Sequence, residues 1–184
     1  MLKRFNIILS TLVVVVTVLF MSCKEDINDN QNVKTADKNQ IKKKLEEVNR
    51  ALIQKEMGDI DKYIEEHDLK MIRTGSGLRY CIEKQGDIVC IKTGDIVVLD
   101  YEMRFLNNDN VIASSKNDGY KTFIVGHGGV EIGLEEAVLH LHNGDEAEII
   151  IPSYLAHGLI GDGDKIPPQT TLVYKVKVID NQSK

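Results

Sequence analysis

The chain has 184 residues, 23 basic and 28 acidic side chains, and a formal net charge of −5. That length accommodates one domain and an extension, and the composition is ordinary for a soluble globular protein. The acidic balance gives no electrostatic reason to bind nucleic acid.

The first elements belong to targeting. Lys3 and Arg4 precede an apolar run from Ile7 to Phe20, then Ser22-Cys23, then an abrupt polar switch to KEDINDNQN. A basic start, an apolar stretch and a small residue form a signal-peptide layout over residues 1–22. The apolar run falls short of the ~20 residues of a comfortable membrane span. Ser22-Cys23 resembles a bacterial lipobox, although Phe20 and Met21 depart from its Leu-then-small pattern. That resemblance implies a lipid on Cys23 as first mature residue; the other reading is an uncleaved anchor helix. Either one tethers the chain to a membrane. Lys24-Glu25-Asp26 resembles the export signal of surface lipoproteins in the Bacteroidetes group; the plainer reading is a solvated start to a linker. The expected location is the cell envelope, on the outer membrane, with the periplasmic or surface face left open. Removing residues 1–22 takes away Lys3 and Arg4 and no acidic residue, leaving −7.

Residues 23–39 read as a flexible linker, polar, asparagine-rich and without periodicity. Residues 40–70 read as a helical extension. Ile41, Leu45, Val48 and Leu52 recur at helical steps. Gly58 is expected to interrupt, with Asp59 capping a second short helix that carries Ile60, Tyr63 and Ile64. Such a helix packs on its own domain, stands as a spacer, or pairs with a second copy.

Residues 71–184 read as the main domain. Leu78–Ile82 and Asp87–Ile91 are expected to form a hairpin across Gln85-Gly86. Cys81 and Cys90 are equidistant from that turn, which makes them a candidate disulfide; the alternative is two buried thiols. Ile96–Leu106, Val111–Ser115 and Thr122–Val125 follow as strands. Apolar residues at 130, 134, 137, 138 and 141 predict a short helix closed by Asn143-Gly144. Glu146–Ile151 returns to strand. The order of strands, one helix and more strands predicts an α+β antiparallel sheet with a helix on one face.

The last stretch holds all three prolines, Pro152, Pro167 and Pro168. Thr170–Ile179 alternates with period two, so the proline pair must lie just outside a strand. The loop before it carries Leu155, Leu159, Ile160 and Ile166, and an apolar loop beside a sheet suggests a pocket wall.

IPSYLAHGLIGDGDKIPPQTTLVYKVKV closely resembles the C-terminal signature of the FKBP-type peptidyl-prolyl isomerases. GLRY, TGDIVVLDYEMRFLNND, Ser114-Ser115 and FIVGHGGVEIGLEEAVLHLHNGDEAEIIIP extend the likeness over about Gly77 to Asp180. It implies a twisted antiparallel half-barrel wrapped round one short helix. It also implies rotation of X-Pro peptide bonds in proline-containing polypeptides, without a cofactor or metal. The implied catalytic wall is Tyr101, Phe123, His157 and Tyr174; the implied substrate-binding residues are Ile112, Ala113, Val130, Glu131, Leu134 and Ile166. Similar bacterial isomerases pair through N-terminal helices, which keeps a homodimer open.

Several of these positions depart from the family pattern. Its F-D-S-S reads Ile112-Ala113-Ser114-Ser115, so an aromatic wall and a carboxylate are missing. Its floor tryptophan reads Leu134, its isoleucine after the valine reads Glu131, its late phenylalanine reads Tyr174, and the tyrosine of L-A-Y-G reads His157. These changes imply a shallower floor and weaker proline binding. His127, His140, His142 and His157 invite a metal reading, but His140 and His142, two residues apart near the end of the predicted helix, do not share one face; the plainer reading is exposed helix-end histidines.

Overall fold

The computed structural model describes residues 29–182, with side chains placed from 37 to 180. The expected signal peptide and Cys23 lie outside the described residues. The chain divides into two compact units, 1–50 and 51–184.

A single helix, α1 (Asp29–Glu66), runs through the described part of the expected linker, residues 29–39, and replaces the two short helices. It starts within the stretch read as spacer and runs through Gly58 and Asp59. A helical glycine costs only ~1 kcal/mol, and packing on both sides of Gly58 outweighs it. Lys55 pairs with Asp59 at 3.0 Å across that point. Beyond it, Ile60 and Tyr63 are buried against Leu106, Ile150 and Val173. Each such side chain contributes ~1.5–3 kcal/mol by leaving water. This half of α1 is thus packed on its own domain. Polar contacts fix the register: Arg79 Nη2 donates to Asp61 at 2.7 Å, and Arg104 Nη2 donates to the Tyr63 hydroxyl at 2.7 Å and to Glu148 at 3.1 Å. Nearer the N-terminus, Ile41, Leu45 and Val48 are exposed. No helix among the described residues is long and apolar enough to cross a membrane.

The domain is a seven-stranded antiparallel sheet with strands β1 (Ile72–Arg73), β2 (Arg79–Lys84), β3 (Ile96–Phe105), β4 (Asn108–Ser114), β5 (Lys121–Ile124), β6 (Glu146–Ile151) and β7 (Leu172–Gln182). The order is β1-β2-β6-β7-β3-β4, with β5 also paired to β3. Strand β7 is central. Its Leu172, Tyr174, Val176 and Val178 join Leu99, Tyr101 and Met103 of β3 in one core, while Val173 meets α1 on the opposite face. The period-two pattern of the sequence is therefore borne out, and Pro167-Pro168 precede the strand.

The core is closed by α3 (Ile132–Val138), with Leu134, Ala137 and Val138 inward. It is shorter than expected. After Val138 the chain tightens, with the amides of Leu139, His140 and Leu141 donating three residues back. Gly144 does adopt positive φ, but in the turn before β6. Gly133 brings α3 onto the sheet: a Cβ there would collide with Ile151.

The expected cysteine hairpin does not form. Cys81 sits opposite Glu148 in the β2–β6 pair, Cys90 makes a bridge to His142, and both thiols are free. Gly86 is not a turn centre. Its amide donates to Asp145 at 2.7 Å and that of Asp87 to Asn143 at 2.6 Å. The glycine allows a close crossing, and a side chain there would strike the Asn143–Gly144 backbone.

Candidate active site

The site is built on β3, β5, α3, β7 and the loop after β6. Alternation in β3 turns Tyr101 inward, and β7 turns Tyr174 the same way; their ring centroids are 6.0 Å apart. Leu134 and Ile166 belong with them to the same buried cluster. The sequence thus identified residues that the fold does bring together. The open space lies beside them. A cavity of about 400 Å³ is lined by Lys121, Gly129, Val130, Glu131, Ile132, Ala156 and His157. Leu134 and Tyr174 are fully buried and do not border it.

Polar side chains close the floor. The Tyr174 hydroxyl donates to Glu131 Oε1 at 2.7 Å. His157 Nε2 is 3.4 Å from the same oxygen, and Lys121 Nζ is 3.9 Å from Oε2. The Lys121 ammonium lies over the Tyr101 ring at 5.0 Å and the Tyr174 ring at 5.7 Å. A cation over two ring faces is attracted by their quadrupoles. Burial, then the Glu131 carboxylate, push the Tyr174 hydroxyl far above the ordinary tyrosine range, so it stays a proton donor. Burial likewise raises Tyr101, helped by the charges of Asp118 and Glu131 and by a hydrogen bond with Asp118.

That last contact answers a gap in the sequence. Ala113 offers no carboxylate at its position, but the one-turn helix α2 (Ser115–Asp118) supplies Asp118 instead, braced by the Ser114 amide at 3.1 Å. Ser115 Oγ accepts from the Tyr101 amide at 2.9 Å and donates to Asp100. Ile112 and Ala113 are half-buried against the core, as is Val130. Phe123 does not reach the cavity; it is a core residue paired with Val97. Lys121, two residues earlier on the same strand face, lines the cavity in its place. Strand periodicity linked 121 to 123, so a signal existed. Nothing in the sequence pointed to Asp118.

The roof is the loop from Pro152 to Pro168. A short 3-10 turn (Ser153–Leu155) opens it. Glu56 of α1 anchors that turn, accepting from the Ser153 amide at 2.6 Å, the Ser153 hydroxyl at 2.9 Å and the Thr171 hydroxyl at 2.6 Å. Asp162 Oδ1 accepts from the amides of Asp164 at 2.9 Å and Ile166 at 2.7 Å. These two backbone donors hold its carboxyl below the usual range. Of the apolar loop residues, Ile166 and Leu155 pack inward; Leu159 and Ile160 face solvent. Among the described residues no cluster of three or more His, Cys, Asp or Glu is arranged for a metal. His140 instead stacks on Tyr80 at 4.9 Å, and His142 Nδ1 lies 3.3 Å from Asp145.

A profile of the FKBP-type peptidyl-prolyl cis-trans isomerases matches residues 89–179. The chain belongs to the FKBP family. Its FKBP domain is 42% identical over 106 residues to a probable FKBP-type peptidyl-prolyl cis-trans isomerase, FkpA, of Neisseria meningitidis; the match covers 58% of this chain and 38% of that protein. It is 37% identical over 91 residues to human peptidyl-prolyl cis-trans isomerase FKBP10, covering 49% and 16%. It is 34% identical over 88 residues to FK506-binding protein 2 of Dictyostelium discoideum, covering 48% and 66%. The chain therefore spans well under half the length of the first two relatives. Among solved structures, the crystal structure of AtFKBP13 is similar with a TM-score of 0.58 and 27% identity, covering 61% of this chain and 99% of that one. The expected α+β half-barrel is the FKBP fold.

Proposed function

We propose that the chain is a lipid-anchored peptidyl-prolyl cis-trans isomerase that assists the folding of envelope or secreted proteins. The observation that carries the isomerase reading is an FKBP domain in which Tyr101, Leu134, Ile166 and Tyr174 share one buried cluster beside a cavity lined by Val130, Glu131 and His157. Peptide rotation is slow because the C–N bond is partly double, with a barrier of ~18–20 kcal/mol. Both isomers of an X-Pro bond are populated, differing by only ~0.5–1 kcal/mol. A catalyst needs no covalent step; it must bind the twisted amide better than either planar form. Twisting removes amide resonance and its charge separation, so an apolar surface favours the twisted state. Every ~1.4 kcal/mol of that preference is a tenfold rate. Val130, Ile132 and Ala156 offer such a surface at the cavity wall, and His157 offers a donor there.

A second reading is a client-binding module with little turnover. What favours it is the burial of Leu134 and Tyr174 under Glu131 and Lys121. A proline-peptide isomerisation assay separates the two. The isomerase reading expects exchange faster than the uncatalysed rate, lost on Tyr101→Ala; exchange no faster than in buffer overturns it. The tether rests on the Ser22-Cys23 pattern. Fatty-acid labelling is expected in the native chain and lost in Cys23→Ser; label kept in that variant rejects it. Clients are proline-containing polypeptides. The exposed stripe Ile41, Leu45 and Val48 suits pairing with a second copy, which sedimentation equilibrium would detect.

A further inference from the structure

We propose that Glu131 Oε1 stands where a client's carbonyl oxygen is received, so that the side chain is an internal occupant of the site, and Tyr174 and His157 are the donors that take over the client. This rests on the FKBP-domain reading above and adds to it a gate and a donor pair.

Three observations converge. Two potential donors from separate elements meet at one oxygen: the Tyr174 hydroxyl from β7 at 2.7 Å and His157 Nε2 from the roof loop at 3.4 Å. That oxygen belongs to a side chain only 7% exposed, on a residue that borders the cavity. The arrangement is also incomplete. Glu131 Oε2 and His157 Nε2 are both buried and make no hydrogen bond. Lys121 Nζ, at 3.9 Å from Oε2, is beyond hydrogen-bond reach.

A carboxylate built in for stability would have both oxygens filled, because an unmet buried charge is costly. Glu131 accepts one side-chain hydrogen bond, has Lys121 only at ion-pair distance, and regains water when it leaves. Its departure empties the position above Tyr174 and strands a buried O–H, which stays protonated there, with no acceptor. A client carbonyl entering the hollow meets that O–H, and the His157 ring nitrogen beside it. Lys121 covers both tyrosine rings and pairs with the same carboxylate, so it is released in the same motion. The resting state thus taxes binding by the fraction of molecules in which the gate is closed. The donors prefer no particular side chain. They select an sp2 oxygen, and the occupant we assign is a peptide carbonyl next to proline; a free carboxylate shares this chemistry.

The test uses the full chain in detergent and an N-acetyl, C-amide Ala-Leu-Pro-Phe peptide, which carries no charge. Binding is read by calorimetry and cis-trans exchange by NMR. Glu131→Ile removes the internal acceptor, and Glu131→Ala is the second form should the first not fold, as judged by its urea midpoint. We expect peptide binding to tighten about tenfold in either variant. Adding Tyr174→Phe should return most of that gain, since the receiving donor is lost. Peptide affinity unchanged or weakened in a folded Glu131 variant overturns the proposal. So does a gain that survives Tyr174→Phe. Acetate is the other arm: if the variants gain acetate binding but no peptide binding, the site takes carboxylates and the assignment to a peptide carbonyl fails. Tighter peptide binding with no faster exchange in any form would remove the isomerase reading and leave the gate. Accelerated exchange in the native chain, with both measurements unmoved by Glu131→Ile, would do the reverse.

Discussion

Replacing Glu56 by alanine removes one acceptor from three donors at once: the Ser153 amide, the Ser153 hydroxyl and the Thr171 hydroxyl. Ser153 and Thr171 are both buried, which limits how well water can substitute. A hydrogen bond to a charged group contributes ~1.5–3 kcal/mol singly, but three on one carboxylate do not add. Glu56 is itself only half-buried, so we expect about 2–3 kcal/mol of lost stability. With a urea slope of ~2 kcal/mol/M, the midpoint should fall by roughly 1 M. Glu56→Gln keeps the shape and one oxygen, and should lose less than half as much. The roof loop should respond as well. Ser153 O accepts from Ala156 at 3.0 Å and Gly158 at 2.7 Å, so amide-exchange protection at these two positions should drop more than at the centre of β7. A midpoint within experimental error of the native chain would refute the claim that α1 fixes the roof. So would a loss spread evenly over the sheet.

Three further outcomes follow from other parts of the fold. Ile60→Ala should cost about 2–4 kcal/mol in denaturant unfolding, because Ile60 is fully enclosed by Leu106, Ile150 and Val173; a loss under ~1 kcal/mol would mean that α1 does not pack there as described. The Asp162 carboxyl is depressed in the folded state by backbone donors. Its contribution is therefore fully present above the ordinary aspartate range and is lost as pH falls through the lowered folded value. Protection factors of the Asp164 and Ile166 amides should hold at neutral pH, fall only under strong acid, and be low at every pH in Asp162→Ala; protection in that variant equal to native would contradict this. A thiol reagent should modify Cys90 quickly and Cys81 slowly, since Cys90 is exposed while burial raises the Cys81 thiol. Absence of both modifications under non-reducing conditions would indicate the disulfide that the fold separates.

Periodicity explains what the sequence made legible. The alternation in β7 and the 130–141 apolar spacing are local patterns, and they gave the central strand and the helix beneath it. Local signals misled where one residue type serves two purposes. Gly86 read as a turn because glycine tolerates turns, yet it is used for close passage of two backbones. Gly58 read as a helix break, yet the apolar contacts of Ile60 and Tyr63 carry the helix through it. The family resemblance implies Phe123 at the pocket. The strand instead sends its bulk into the core and leaves Lys121 at the cavity. Asp118 was invisible because its service to Tyr101 depends on how α2 folds back, which no spacing encodes.

The same limit governs Glu131 and Tyr174. Taken singly, one is a polar intrusion into an apolar pocket and the other a conservative added hydroxyl. They lie 43 residues apart and are hydrogen-bonded at 2.7 Å, so each change accounts for the other. A buried tyrosine hydroxyl needs an acceptor, and a buried carboxylate needs a donor. Glu131→Ile alone strands the hydroxyl, Tyr174→Phe alone strands the carboxylate, and the double replacement strands neither. The two single losses of stability should therefore exceed that of the double variant when summed, with a coupling of about 1–2 kcal/mol in a denaturant double-mutant cycle. Losses that add to within ~0.3–0.5 kcal/mol would mean that the two side chains are neighbours without being partners, and the gate built on their bond would then have no latch.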